Sequence, residues 1–531
     1  MTATGPPART AGPAGSAAGL GRAAAARARR PGPYLLVGAA YWLVLSVVLR
    51  HTPPASDFGQ HAAAVEQVRE DWRHPANPLL AAPGTGSPYY SPYIVGLGLL
   101  AKASGVAGWV ALRWCGALNV AVLVAGVGAY ARTLSARALA PVYALAAFSL
   151  LWGVRGTEWS GFCGVWSLTR GASYPSAFAV GLTFLLWAWT DRLVTTPAGP
   201  RAARRWGAHA ALGAAGGVLL LIHPITALAA AVGALATVAA RQRTWSWHIG
   251  AGWAVTAAAA AGAAAAWPYF DVWTLAGDAT LDAVHRTLYQ QPLRWYGLAA
   301  VGLPALVWRA RAGGRWGARD PLVLMFAADC AIAGYGWLSG HYTYGRVFAL
   351  LLVPPQFALA VELAELPRWT RLRRVLAPLA AAALCCGLAA QIGAVVPRRL
   401  LPVDLGHPVR WHDYRWVVAR THQGDVVLTD SYQASHVLPA YGIRLVAPTW
   451  PDPSTPPAER DRRFGDLFAY LDSATPDPVR RDIAHRWGAR WLLLGQDEHI
   501  PYQGTLVAWD VPSHERLIRL DAADGGGSGG G

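Results

Sequence analysis

The stretch "HTPPASDFGQHAAAVEQVREDW" (51–72) follows an apolar run directly and carries Asp57 and His61 one helical turn apart, with Glu66 at a further helical interval. A carboxylate in that place suits two kinds of chemistry. As an N-cap it accepts hydrogen bonds from the first free amides of the helix that follows. As a general base it takes the proton of a hydroxyl nucleophile close to a bilayer surface. Both readings stand on the residues alone.

Groups that could meet an anion or a sugar are few, and they sit beside other apolar runs. "SGHYTYGRVFALLLVPP" (339–355) puts His341, Tyr344 and Arg346 at the mouth of an apolar helix. That arginine either snorkels or grips an anion with its planar fork. Lys102, the only lysine, offers a second cation, with snorkelling as the plainer reading. "RGTEWSGFCGVWSLTRGASYPS" (155–176) holds Glu158, a solvated loop acid or a contact for an acceptor or metal. Its Trp159 and Trp166 suit sugar stacking or a membrane interface equally. His223 in "LLLIHPITAL" could bond a substrate or hold a helix turn, and His285 lies in a long connection, 268–294, that could act as a lid. Asp329, inside an apolar run, reads as a buried, hydrogen-bonded acid.

These residues need a scaffold, and composition says which. Of 531 residues 54% are apolar and only 14% charged, against about 25% charged in a soluble domain. Apolar runs recur near 34–50, 111–131, 139–154, 177–193, 207–222, 225–240, 249–267, 295–309, 321–339, 346–364 and 375–396. They predict a polytopic α-helical membrane protein of about eleven spans. The net charge of +16 comes from arginines clustered between those runs, so it points to membrane loops and not to nucleic acid. Alternate loops ("ARTLSAR", "TDRLVTTPAGPRAARRW", "ARQRTWSWH", "RARAGGRWGARD", "PRWTRLRR") are all basic. The positive-inside rule then puts them, and the basic tail 1–31, in the cytoplasm of a plasma-membrane protein. This threading requires that 89–105, "YYSPYIVGLGLLAKASG", lie in the outer interface without crossing. The five cysteines show neither disulfide nor metal spacing.

Residues 32–396 form the membrane part in this reading. Residues 397–523 alternate strand-like and helical stretches, from "DVVLTD" and "IRLVAP" to "ARWLLLG" and "TLVAWDV", and predict a C-terminal extracytoplasmic α/β domain. No glycine-rich phosphate loop follows its strands. Residues 524–531 read as a linker or tag remnant.

The layout resembles the GT-C glycosyltransferases: a first helix emptying into a long outer loop with an early acid, and "SPYYSPYIVGLGLLAKASG" as the interfacial segment before the next span. It is similar to the group that contains protein mannosyltransferases, aminoarabinose transferases and actinobacterial arabinofuranosyltransferases. The resemblance implies an inverting transfer of a sugar from a polyprenyl-phosphate donor to a glycan, lipid or protein acceptor. It makes Asp57 the catalytic base. Arg346, Lys102, His341 and Tyr344 become donor-phosphate ligands, and Glu158, His61, Trp159, His223 and His285 acceptor or sugar contacts. No metal ligand set stands out and no cofactor is required, though a divalent cation (Mg or Mn) stays open. Two other classes remain beside this one, a flippase for lipid-linked glycans and a non-catalytic envelope assembly protein.

Overall fold

A computed structural model of the chain describes residues 32–52, 54–55, 57–81, 86–196, 202–277, 279–312, 319–365, 370–400, 411–450, 455–495 and 504–521. The expected tail 1–31 and the linker 524–531 lie outside the described residues. Eight helices are long and apolar enough to cross a membrane: Pro33–His51, Gly108–Leu134, Pro175–Thr195, Arg205–Ile222, Pro224–Arg241, Pro321–Ser339, Tyr342–Ala364 and Arg371–Ala394. Prolines start several of them, where the missing amide costs nothing.

Eight of the eleven expected spans are among these helices. The other three segments are also helical. Ala140–Leu150 has only 11 residues. Trp247–Ala265 has 19 residues and is rich in alanine, with Trp and His in its first turn. The segment expected over 295–309 is a 3-10 turn, Gly297–Gly302, running into the ten-residue helix Leu303–Ala312. Pro92–Ser104, the expected interfacial helix, has 13 residues. At about 1.5 Å per residue it cannot cross a hydrocarbon core of roughly 30 Å. Its N-cap Ser91 accepts a hydrogen bond from the Ile94 amide.

Between apolar helices, close approach replaces the hydrophobic effect as the source of specificity. Gly213 and Gly217 lie one turn apart against Trp247–Ala265. A Cβ on either would stand 2.1 Å from the Thr256 carbonyl or 2.4 Å from that of Ala260. Buried amides also tie irregular segments to the bundle. Asn119 donates to the carbonyls of Ala172 (2.8 Å) and Tyr174 (3.3 Å), and Gln356 to that of Leu151 (2.7 Å). Asp329 is only 1% exposed, and its Oδ1 has no partner among the described residues, so the expected hydrogen bond to that oxygen is absent.

The two ends of the bundle differ. At the end carrying the basic loops, arginines pair with acids: Arg137 with Glu365 (2.7 Å), Arg241 with Asp191 (3.2 Å), Arg309 with Asp320 (2.6 Å) and Arg373 with Glu362 (3.0 Å). At the other end the connections gather under a five-stranded mixed sheet. Its strands are β1 (Val426–Leu428), β2 (Arg444–Leu445), β3 (Ala489–Leu494), β4 (Gly504–Asp510) and β5 (Glu515–Leu520), in the order β2-β1-β3-β5-β4. β1 pairs in parallel with β2 and β3, and β5 runs antiparallel to β3 and β4. Every residue of β1 is buried, as expected of a strand covered on both faces. Four strands match the sequence expectation; β5, "ERLIRL", was not foreseen. The sheet is docked on the first long connection. The Leu445 amide donates to the Leu79 carbonyl (2.9 Å), and Leu80 bridges Leu445 in parallel at the sheet edge.

Candidate active site

Where the first span ends, Arg113 holds the chain in place, donating to the carbonyls of Arg50 (2.7 Å) and Thr52 (3.1 Å). Asp57 follows immediately and occupies the N-cap position of Phe58–Glu70, yet its side chain makes no capping hydrogen bond. It turns instead toward His436, whose Nε2 stands 3.3 Å from Oδ1, at ion-pair distance though off the line of an aligned hydrogen bond. Asp57 is half-buried. Burial raises its pKa, but the contact with His436 and the influence of the more distant His61 and Arg346 outweigh that and hold the carboxyl below its ordinary value.

Asp57 lines a cavity of about 570 Å³. Its wall is drawn from every connection at this end of the bundle: His61, Glu158, Trp159, His223, His285 and Arg346 all face it. Arg346 is the organising cation. One Nη donates to the Ser160 carbonyl (2.7 Å). The guanidinium also lies 3.2 Å from His285 Nε2, 3.5 Å from His223 Nε2, and 5.8 Å from the centre of the Trp159 ring. Its Nε is buried and has no partner among the described residues. Burial, and then the Arg346 charge, push both histidines down to about 3. Burial pushes His61 to about 4 against the pull of Asp57. All three rings are neutral at pH 7.

Each ring is fixed by a second partner. His223 Nδ1 lies 2.7 Å from Thr226 Oγ1, and His285 Nδ1 lies 2.9 Å from Thr343 Oγ1. The Thr343 amide donates to Asp282 Oδ1 (2.7 Å), so the His285 connection is latched to the Arg346 segment. His61 lies between Tyr89, edge-on at 5.3 Å, and Tyr174, tilted at 5.1 Å between ring centres, and among the described residues its Nδ1 has no partner. Glu158 is ion-paired to Arg170, with about half of its side chain exposed.

Three residues expected at the donor phosphate are elsewhere. Lys102 donates to the carbonyls of Arg69 (3.1 Å) and Glu70 (3.3 Å), closing the C-terminus of Phe58–Glu70, where the helix dipole favours a cation. His341 Nδ1 lies 3.2 Å from Asp282 Oδ2, on the outside of the latch. Tyr344 is placed edge-on against Tyr335, at 5.5 Å. None of the three lines the cavity.

The sheet unit supplies residues that the sequence reading did not single out. Tyr432 and Trp450 form a wall of the cavity, and His436 lies behind them. Tyr432 and His436 follow the carboxyl end of β1, and Trp450 follows that of β2, the edge at which open α/β sheets place their ligands. Their only sequence signal is the one-turn spacing of Tyr432 and His436 in "SYQASHVLPAYG". Among the described residues no three His, Cys, Asp or Glu side chains converge as metal ligands.

Chemically, the cavity offers one carboxylate able to accept a proton, one guanidinium with free donor capacity, and aromatic faces between them. Comparison with known proteins fits this picture at the level of fold. No protein-family description matches the chain, and no curated protein is similar to it in sequence. Among solved structures, arabinofuranosyltransferase AftD from Mycobacteria superposes with a TM-score of 0.53 at 18% identity, over 92% of this chain and 40% of that one. A mutant form of AftD gives 0.54 at 17% identity, over 93% and 42%. The oligosaccharyltransferase of Archaeoglobus fulgidus, solved with zinc and sulfate, gives 0.48 at 13% identity, over 91% and 73%. The chain spans about two-fifths of the length of AftD. Its fold is that of the part of AftD it matches.

Proposed function

We propose that the chain is an inverting glycosyltransferase that moves a sugar from a polyprenyl-phosphate donor to a glycan, lipid or protein acceptor of the cell envelope. The observation that carries this reading is the shared cavity of Asp57 and Arg346, one at the end of the first span and the other at the mouth of Tyr342–Ala364. A lipid phosphate cannot leave the bilayer surface, so its ligand and the base that activates the acceptor must both stand there.

In the proposed reaction Arg346 binds the phosphate, with His223 and His285 beside it. The donor's anomeric carbon then lies on the Asp57 side. Asp57 takes the proton of the acceptor hydroxyl as its oxygen bonds to that carbon. The carbon–oxygen bond to phosphate breaks, and the electron pair leaves with the polyprenyl phosphate, whose charge Arg346 neutralises. Tyr432 and Trp450 offer faces for acceptor sugar rings. The basic-loop rule places this end of the bundle on the outer face of the plasma membrane, with the sheet unit extracytoplasmic. Nucleotide sugars do not occur there, which is a further reason for a lipid donor. The likeness to AftD makes an arabinofuranosyl donor the first to try.

The experiment uses purified protein in nanodiscs with farnesyl-phosphoryl arabinofuranose, farnesyl-phosphoryl mannose, and nucleotide sugars as controls. Octyl glycosides serve as acceptors. Transfer from a lipid phosphate and none from nucleotide sugars is the expected result. Efficient use of a nucleotide sugar would overturn the donor assignment.

A further inference from the structure

We infer that His436 is a positioning residue for Asp57: the docked sheet unit sets an imidazolium against the carboxylate and thereby completes the transfer site. The inference rests on the reading of Asp57 as the base.

The proton positions follow from the partners of the ring. His436 is 1% exposed, and its Nδ1 lies 2.6 Å from the Tyr432 carbonyl, which can only accept. The proton at Nδ1 is therefore fixed. A neutral ring would then present a bare lone pair at Nε2 to Asp57 Oδ1, 3.3 Å away, and the two would repel. A second proton, at Nε2, turns that contact into a carboxylate–imidazolium pair. Among the described residues, the groups facing the ring are the Tyr432 carbonyl and ring on its own helix, Thr449 Oγ1 and the Trp450 ring beyond β2, and Asp57 from the membrane part. Asp57 is the only acid among them. His61 and Arg346 act on the pair from the far side of Asp57.

The docking that delivers this ring is specific. A Cβ at Gly59 would stand 2.0 Å from the His436 backbone carbonyl, so the helix Phe58–Glu70 reaches the sheet unit only with glycine there. Phe58 meets Trp411 edge to face at 5.8 Å, and Gln423 Nε2 donates to Glu70 Oε1 (2.5 Å). Asp57 is thus aligned by contacts from both parts of the chain. During transfer the acceptor proton goes to the free oxygen of Asp57, while His436 keeps both of its own and fixes the other oxygen.

The test compares His436→Phe, His436→Gln and Asp57→Asn with farnesyl-phosphoryl arabinofuranose and mannose, following kcat, donor KM and the pH profile of kcat/KM. His436→Phe keeps a ring but has neither donor nor charge. It should lower kcat by roughly 10- to 100-fold, the scale of a misplaced catalytic group, with donor KM within about twofold of wild type. The acid limb should move to higher pH, because Asp57 loses the cation that holds it ionised. His436→Gln restores a neutral donor, so it should recover part of kcat while the acid limb stays shifted. A role in packing alone would lower stability and leave the acid limb in place, and that outcome overturns the inference. If His436→Phe does not fold, an unmoved acid limb in His436→Gln overturns it equally. An active Asp57→Asn would instead remove the base reading on which the inference stands.

Discussion

The two ends of the helix bundle solve opposite problems with the same residue types. At the basic-loop end, each arginine described above has a carboxylate within salt-bridge distance, and the pairs join the ends of different helices. At the cavity end, Arg346 is held by a carbonyl and two neutral imidazoles, its Nε has no partner among the described residues, and Asp57 faces a histidine. Satisfied pairs stabilise a fold and leave nothing for a ligand. A buried guanidinium without a carboxylate of its own has capacity left for an anion. The difference separates charges that hold the bundle together from charges that await substrate.

Substitutions should divide along the same line. The largest effect is expected at Asp57. Asp57→Asn keeps a capping oxygen and should lower transfer by about 10²-fold or more, with donor binding and expression retained. Assay of the purified variant checks this, and near-normal transfer would return Asp57 to a structural role. Arg346→Ala comes next, with donor affinity reduced by roughly 30-fold, the worth of a charge-assisted contact. Arg346→Lys should recover only part, since an ammonium lacks the two-pronged geometry. At the opposite end, Arg373→Met leaves Glu362 buried without its partner and should cost about 3 kcal/mol of stability. Its transfer kinetics should stay within twofold of wild type, as a melting curve and a parallel assay would show. Lys102→Met is expected to leave donor affinity unchanged, because its amine caps a helix outside the cavity.

Acid gives a gentler probe of the cavity end. The folded protein keeps His61 neutral down to about pH 4, and His223 and His285 down to about 3, whereas the unfolded chain protonates them near 6.5. The unfolded state therefore binds more protons between these values, and stability should fall as pH drops from 6.5 toward 4. Melting temperatures across that window should fall less steeply in His223→Gln.

Much of this site was legible in the sequence because Asp57, Arg346 and His223 lie beside apolar runs, and chain connectivity alone carries them to a membrane surface. The helix Pro92–Ser104 was legible for a similar reason, being too short to cross. His436 was not, since only docking of the sheet on Gly59 and Leu79 brings it to Asp57, and periodicity says nothing of such contacts. Lys102 lies outside the cavity, and in sequence a cation near an interface looks the same whether it meets a phosphate or the carbonyls at a helix end.

The most direct measurement is a cryo-EM structure of the protein in nanodiscs with a polyprenyl monophosphate, the product left after transfer. The phosphate is expected within hydrogen-bond reach of the Arg346 guanidinium, between His223 and His285, with Asp57 open to the space where an acceptor would enter. A phosphate bound among the ion pairs of the opposite end, or seated at Lys102 with the Arg346 cavity empty, would contradict the division between the two ends and the site built on it.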